Sequence, residues 1–174
     1  MRKPRIIIAG AKYHVTSRVN HQEMLLHGVE AKQLFLDVVE RAKKKFSFKL
    51  ENFTVMDNHF HFIIKPEHNE SLSKIMQWLL SVFAMKYNLI YGLTGHFWQG
   101  RFFSRVISSF RMYYEIFTYI DQNPVKASLV DNPWSWEFGG LAHRRVGLST
   151  IVDPLEPELL LVFPTHQIHK LFKA

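Results

Sequence analysis

Residues 48–65 restrict the possible folds of this chain more than any other segment. Two runs rich in aromatic and β-branched side chains, FKLENFTVM and HFHFIIK, meet at Asp57-Asn58, a two-residue polar break. Runs of this composition read as strands, and so short a break joins them as an antiparallel hairpin. Side chains two apart on a strand share a face. His59 and His61 therefore point one way, and Phe60 and Phe62 the other.

Two imidazoles held side by side on a rigid strand are the beginning of a divalent-metal site. They are equally what an ordinary pair of sheet-surface histidines looks like, and two ligands do not close a site. Other motifs narrow the choice. The chain has no cysteine, which removes disulfides, thiolate zinc sites and cysteine nucleophiles together and suits a reducing cytoplasm. It has no HExxH, no HxE…PCxxC and no GxxxxGK[ST] or GxGxxG loop. Zinc hydrolase, zinc deaminase and phosphate-loop readings lose their support.

The elements around the hairpin set its topology. Residues 12–19, KYHVTSRV, read as an earlier strand. Residues 30–46 place Leu34, Phe35, Val38, Val39, Ala42 and Phe46 on one helical face, and Lys43, Lys44 and Lys45 form a solvated, dipole-favoured end. A second helix, capped by Asn69 or Ser71, repeats Leu72, Ile75, Met76, Leu79, Phe83, Tyr87 and Ile90 until Gly92. Residues 97–109 read as a fourth strand, followed by a helix from about Phe110 that must end or bend near Pro124. The order β-α-β-β-α-β-α predicts an α+β, ferredoxin-like split βαβ fold: an antiparallel sheet with helices on one face, plus an added helix. Leu159–Phe163 and His169–Phe172 suggest short C-terminal helices.

The second informative stretch is YYEIFTYIDQNPVKASLV. On a helix Tyr119 and Asn123 are i and i+4 and share a face. A phenol beside an oxygen ligand suits attack on a metal-bound phosphate. Tyr119 equally suits packing with Ile116 and Ile120, and Asn123-Pro124 equally suits the N-terminus of a new helix.

Together VMDNHFHFIIKP, LSKIMQWLLSVFAMKYN, GHFWQGRF and YIDQNPVKASLVDNPWSW resemble the small single-tyrosine transposases of the HUH superfamily, and among them the REP-associated tyrosine transposases. The resemblance runs from about Tyr13 to Trp136. It implies a catalytic domain over residues 1–136, with residues 137–174 as an extension packed on it or continuous with it. It implies that His59 and His61 are the metal-binding pair, Tyr119 the nucleophile and Asn123 the third ligand, with Gln122 its competitor. Tyr113 and Tyr114 fit the motif less well. It also implies Mg²⁺ or Mn²⁺ as cofactor, a 5′-phosphotyrosine intermediate, and single-stranded DNA with hairpin or palindromic ends as partner. Relatives are monomers or homodimers. Where they often read NPVRAGL, this chain has NPVKASL, so Lys126 and Ser128 replace Arg and Gly; a lysine keeps the charge without the planar fork.

A net charge of +7 accords with a polyanionic partner. Candidate DNA contacts are Arg18 at the end of the first strand, Gln99, Arg101, Arg105 and Lys126. Arg101 and Arg105 are interleaved with Phe102 and Phe103, as single-strand binding favours, although at least two of Trp98, Phe102 and Phe103 are expected in the core. His14, His166 and His169 read as structural. The apolar run Ile6–Ala9 is too short for a signal-peptide core and no segment approaches a membrane span. The expected location is the cytoplasm of a bacterium or archaeon, on the nucleoid when bound to DNA. A rival class, an RNA-recognition-like binding module of the same βαββαβ order, leaves HFH and YIDQN without a role.

Overall fold

In the computed structural model, the described residues are Ile8, 10–147 and 150–166. The His169–Phe172 helix and most of the 6–9 run lie outside them. Alternation builds the sheet. On β1 (Tyr13–Arg18) and β3 (His59–Pro66), Tyr13, Val15, Phe60, Phe62 and Ile64 are buried on one face. β2 (Phe48–Val55) pairs with β3 across the Asp57-Asn58 turn, where Met56 N–H donates to His59 O at 2.8 Å. β4 (Phe103–Val106) pairs with β1. All pairings are antiparallel in the order β2-β3-β1-β4, the split βαβ arrangement that the pattern of elements predicts.

α1 (Val29–Lys45) and α2 (Leu72–Tyr91) cover the phenylalanine face. Phe35 lies 4.9 Å from Phe60 and 5.1 Å from Phe83, ring centre to ring centre. Each such fully buried ring contributes roughly 1.5–3 kcal/mol of transfer free energy. Ser71 caps α2 by accepting from Lys74 N–H, and Gly92 ends it in the left-handed conformation.

The fourth strand is shorter than its composition suggests. Gly100 adopts φ 143° and interrupts the extended run, so residues 97–102 form a loop that drives Phe97 and Trp98 into the core. Trp98 Nε1–H donates to Leu80 O. Lys43 also departs from expectation: it turns inward, and its ammonium bonds Ile151 O and Asp153, leaving Lys44 and Lys45 exposed.

α3 (Phe110–Lys126) lies across the other face of the sheet, where Tyr113, Phe117 and Ile120 bury Ile63. It does not stop before Pro124. The proline sits in the last turn, where a missing N–H forfeits one bond, and the helix closes two residues later through Ala127 N–H to Asn123 O and Leu129 N–H to Pro124 O, both 3.0 Å. Asn123-Pro124 therefore does not begin a new helix.

The chain beyond Trp136 adds α4 (Gly140–Arg145) and α5 (Pro157–Val162). Phe138 O accepts from Val55 N–H, Ile151 and Val152 join the main core, and Phe163 stacks on Phe117 at 4.1 Å. Among the described residues, no helix is long and apolar enough to cross a membrane.

Candidate nucleic-acid cleavage site

β3 faces its two histidines away from the phenylalanine core, onto the side that carries α3. His59 stands across the ladder from Arg18, and His61 from Thr16. The two imidazoles are 5.0 Å apart, nearly perpendicular. Burial, then Arg18, pushes His59 down to about 4 against a smaller upward pull from Asp57. Burial, then the neighbouring His59, His14 and Arg18, pushes His61 down to about 3. Both rings are therefore neutral near pH 7, the form that ligates a metal.

Their ring nitrogens are unequally occupied. Asn58 Nδ2 donates to Gln22 O at 3.0 Å, which turns Asn58 Oδ1 toward His59 Nδ1 at 2.8 Å. That nitrogen carries the proton, and Nε2 keeps its lone pair. His61 Nδ1 lies 2.9 Å from His14 Nε2, while His61 Nε2 is buried with no hydrogen-bond partner. An orphaned ring nitrogen beside a second neutral imidazole fits a cation better than it fits an ordinary sheet surface.

α3 brings Tyr119 to the same place. Its ring meets His61 edge-on at 5.3 Å and is 41 % exposed, so it is anchored on one side and open on the other. Tyr113 is excluded as a nucleophile by its surroundings: its hydroxyl donates to Glu51 at 2.8 Å, and burial and that carboxylate hold its pKa far above the ordinary value. Tyr114 stacks on Phe163 at 5.4 Å. Asn123 lies one turn beyond Tyr119 and is buried. Gln122 is half-buried on the neighbouring face. No group of three or more His, Cys, Asp or Glu is arranged as a metal cluster among the described residues.

The basic candidates divide. Arg18 adjoins His59 and bonds Gln22 at 3.4 Å. Gln99 is exposed in the loop, its N–H bonded to Arg18 O. Lys126 places its ammonium 5.4 Å from the centre of the Tyr119 ring. Arg105 and Phe103 stand opposite His14 and Thr16 on the open part of this face. Phe103 is 58 % exposed, whereas Trp98 and Phe102 are buried. Arg101 is apart from these, lining a cavity of about 640 Å³ beside α2 with Gln77, Ser81 and His96.

A polar network behind α3 was not legible in the chain. A bulge between Leu50 and Asn52 turns both Glu51 and Asn52 toward the helix. Asn52 donates to Asp121 at 2.9 Å, and His166 Nε2–H to the other Asp121 oxygen at 2.8 Å. Arg144 donates to His166 Nδ1, to Glu51 O and to Asp153 O. The network clamps α3 two residues beyond Tyr119. His166 is thus structural, as expected, and His14 lies against His61, its Nε2 2.9 Å from His61 Nδ1. The burial of Tyr13 and Val15 was the available signal for His14, since it puts residue 14 on the histidine face.

The family model described as "Transposase IS200 like" matches residues 8–123. No curated protein matches the chain in sequence. Among solved structures, a REP-associated tyrosine transposase bound to a REP hairpin superposes with a TM-score of 0.70 at 23% identity, covering 83% of this chain and 84% of that one. A crystal structure of a transposase candidate from Deinococcus radiodurans R1 superposes with a TM-score of 0.50 at 16% identity, covering 70% and 97%. At these identities the likeness establishes the fold.

Proposed function

Because this chain belongs to the IS200-like transposase family, we propose that it cleaves and rejoins single-stranded DNA at hairpin-bearing, palindromic sites through Tyr119. The observation that carries the reading is the seating of the Tyr119 ring against His61 on the open face of the sheet. His59, His61 and Asn123 are the residues that hold a divalent cation, Mg²⁺ or Mn²⁺. When bound, such a cation polarises the scissile phosphate as a Lewis acid.

The chain's own groups do the rest. The Tyr119 oxygen loses its proton and attacks phosphorus; the P–O3′ bond breaks, leaving a 5′-phosphotyrosine and a 3′-hydroxyl on the departing strand. Attack by a 3′-hydroxyl of the same or another strand reverses the step, since the phosphotyrosine retains the energy of the diester. Arg18 and Lys126, on either side of the histidines and the tyrosine, suit flanking phosphates. Phe103 offers a face for an unpaired base, with Arg105 beside it on β4. Hairpin DNA as the substrate class is supported by the REP hairpin bound to the structural relative.

The test is incubation with hairpin-bearing single-stranded DNA and Mn²⁺, comparing wild type with Tyr119→Phe. A denaturant-resistant protein–DNA adduct in wild type, absent in the variant, is the expected result. An adduct undiminished in Tyr119→Phe refutes the nucleophile. Hairpin binding without any adduct returns the chain to the class of binding modules.

A further inference from the structure

His14 belongs to no motif that names a role for it, yet it is the partner of a ring that the proposed site needs. It projects from β1 onto the histidine face, across from Ile63 on one side and Arg105 on the other. Its ring stacks on His61 at 5.2 Å with 15° between planes, and its Nε2 lies 2.9 Å from His61 Nδ1. The far nitrogen, His61 Nε2, is buried and unpartnered.

One proton is shared between the two facing nitrogens, and its owner decides what His61 Nε2 presents. If His14 Nε2 carried it, the neutral His61 ring would hold its own proton on Nε2, as a buried donor with no acceptor. If His61 Nδ1 carries it, His14 Nε2 accepts, and His61 Nε2 presents only a lone pair. An unmade buried hydrogen bond costs about 1–3 kcal/mol for a donor and an acceptor alike, and what separates the two arrangements is that only the second leaves His61 Nε2 a lone pair that a cation can take. His59 is set the same way by a different device, since Asn58 Oδ1 can only accept from His59 Nδ1. With the proton on His61 Nδ1, both rings turn the Nε2 lone pair to the site.

We propose that His14 is a positioning residue: by accepting from His61 Nδ1–H it fixes the tautomer and the plane of His61 so that Nε2 is free to ligate. Partners of this kind raise metal affinity by roughly 10–100-fold. His14 acts through His61 and is not itself a ligand. The inference rests on His61 being a metal ligand, as proposed above, but its first test does not involve metal.

Long-range ¹H–¹⁵N NMR of the metal-free protein reads the tautomer of His61 directly. The expected result is a proton on Nδ1 in wild type, and a shift toward the Nε2–H form in His14→Phe. A second readout is Mn²⁺ affinity, measured from the signal of free Mn²⁺. His14→Phe weakens it by about 10–100-fold, and His14→Gln, which restores an acceptor oxygen, recovers much of the loss. Spin-echo spectra of bound Mn²⁺ show two coupled imidazoles in wild type and still two in His14→Phe. A proton on His61 Nε2 in wild type, unchanged Mn²⁺ affinity in His14→Phe, or a third coupled imidazole in wild type each overturns the proposal. Absence of Mn²⁺ binding in wild type with the Nδ1–H tautomer intact instead removes the metal reading while leaving the His14 bond in place.

Discussion

Truncating Asp121 to alanine tests whether the clamp behind α3 holds the tyrosine helix. One carboxylate oxygen accepts from His166 Nε2–H and the other from Asn52 Nδ2–H. Neither donor residue has any exposed surface. His166 has no freedom to reverse its ring, because its Nδ1 already accepts from Arg144. Asp121→Ala therefore strands two buried donors at about 1–3 kcal/mol each. It also removes a carboxylate whose field supports the charge on Arg144, a guanidinium that burial pushes down to about 10. The two donors alone come to about 2–6 kcal/mol, a span that brackets the roughly 3–5 kcal/mol for breaking a buried pair from one side, against a total stability of about 5–15 kcal/mol. Asp121→Asn retains one acceptor oxygen and costs about half as much. Urea denaturation followed by tryptophan fluorescence measures both, with an unchanged slope marking a loss in the native state. In the residual folded protein, adduct formation by Tyr119 slows, because its helix has lost an anchor two residues away. A loss below about 0.5 kcal/mol for Asp121→Ala, or equal losses for the two variants, would refute the argument.

Ser128 adopts φ 56° just after α3, a left-handed position that glycine occupies without strain; Ser128→Gly raises the unfolding free energy by up to about 1 kcal/mol. At Gly140 an added methyl lands on Asn52 Oδ1 and 3.1 Å from Phe53 N. Gly140→Ala therefore destabilises by about 1–3 kcal/mol, outweighing the helical gain of about 1 kcal/mol, and calorimetry gives the sign. Because His59 and His61 titrate in the fold near 4 and 3 and near 6.5 when unfolded, the unfolded chain binds more protons between pH 6.5 and 4. The metal-free melting temperature falls as pH drops through that window, and falls less in His61→Asn; a flat profile contradicts the burial of the pair. Phe103→Ala leaves stability within about 0.5 kcal/mol but weakens single-stranded DNA binding by about 1–3 kcal/mol. Arg105→Ala instead lowers the salt dependence by about one phosphate contact, both read by fluorescence anisotropy.

Period-two and period-3.6 patterns carry local information, and here they were sufficient for the order of elements, the hairpin at Asp57-Asn58 and the common face of His59 and His61. They also placed Tyr119 and Asn123 on one side of a helix. The length of β4 was misjudged because apolar composition does not register that Gly100 breaks the extension and sends Trp98 inward. Lys43 was misplaced for a related reason: a helix end looks solvated until Asp153, more than a hundred residues later, folds against it.

What the amino-acid sequence determined by itself was a set of groups and a family: two histidines on a strand, a tyrosine on a helix, and the IS200-like transposases those motifs signal. Their meeting is decided only in three dimensions. α3 crosses the face opposite α1 and α2 because Ile63 offers it an apolar seat and the Glu51–Asn52 bulge offers it polar partners. The polar contacts, Tyr113 to Glu51 and Asn52 to Asp121, join residues 62 and 69 positions apart, and no local pattern encodes them. The same crossing sets Tyr119 against His61, while the pairing of β1 with β3 brings in His14. A side chain that alternation alone leaves on a sheet surface becomes the partner of the ring beside the tyrosine.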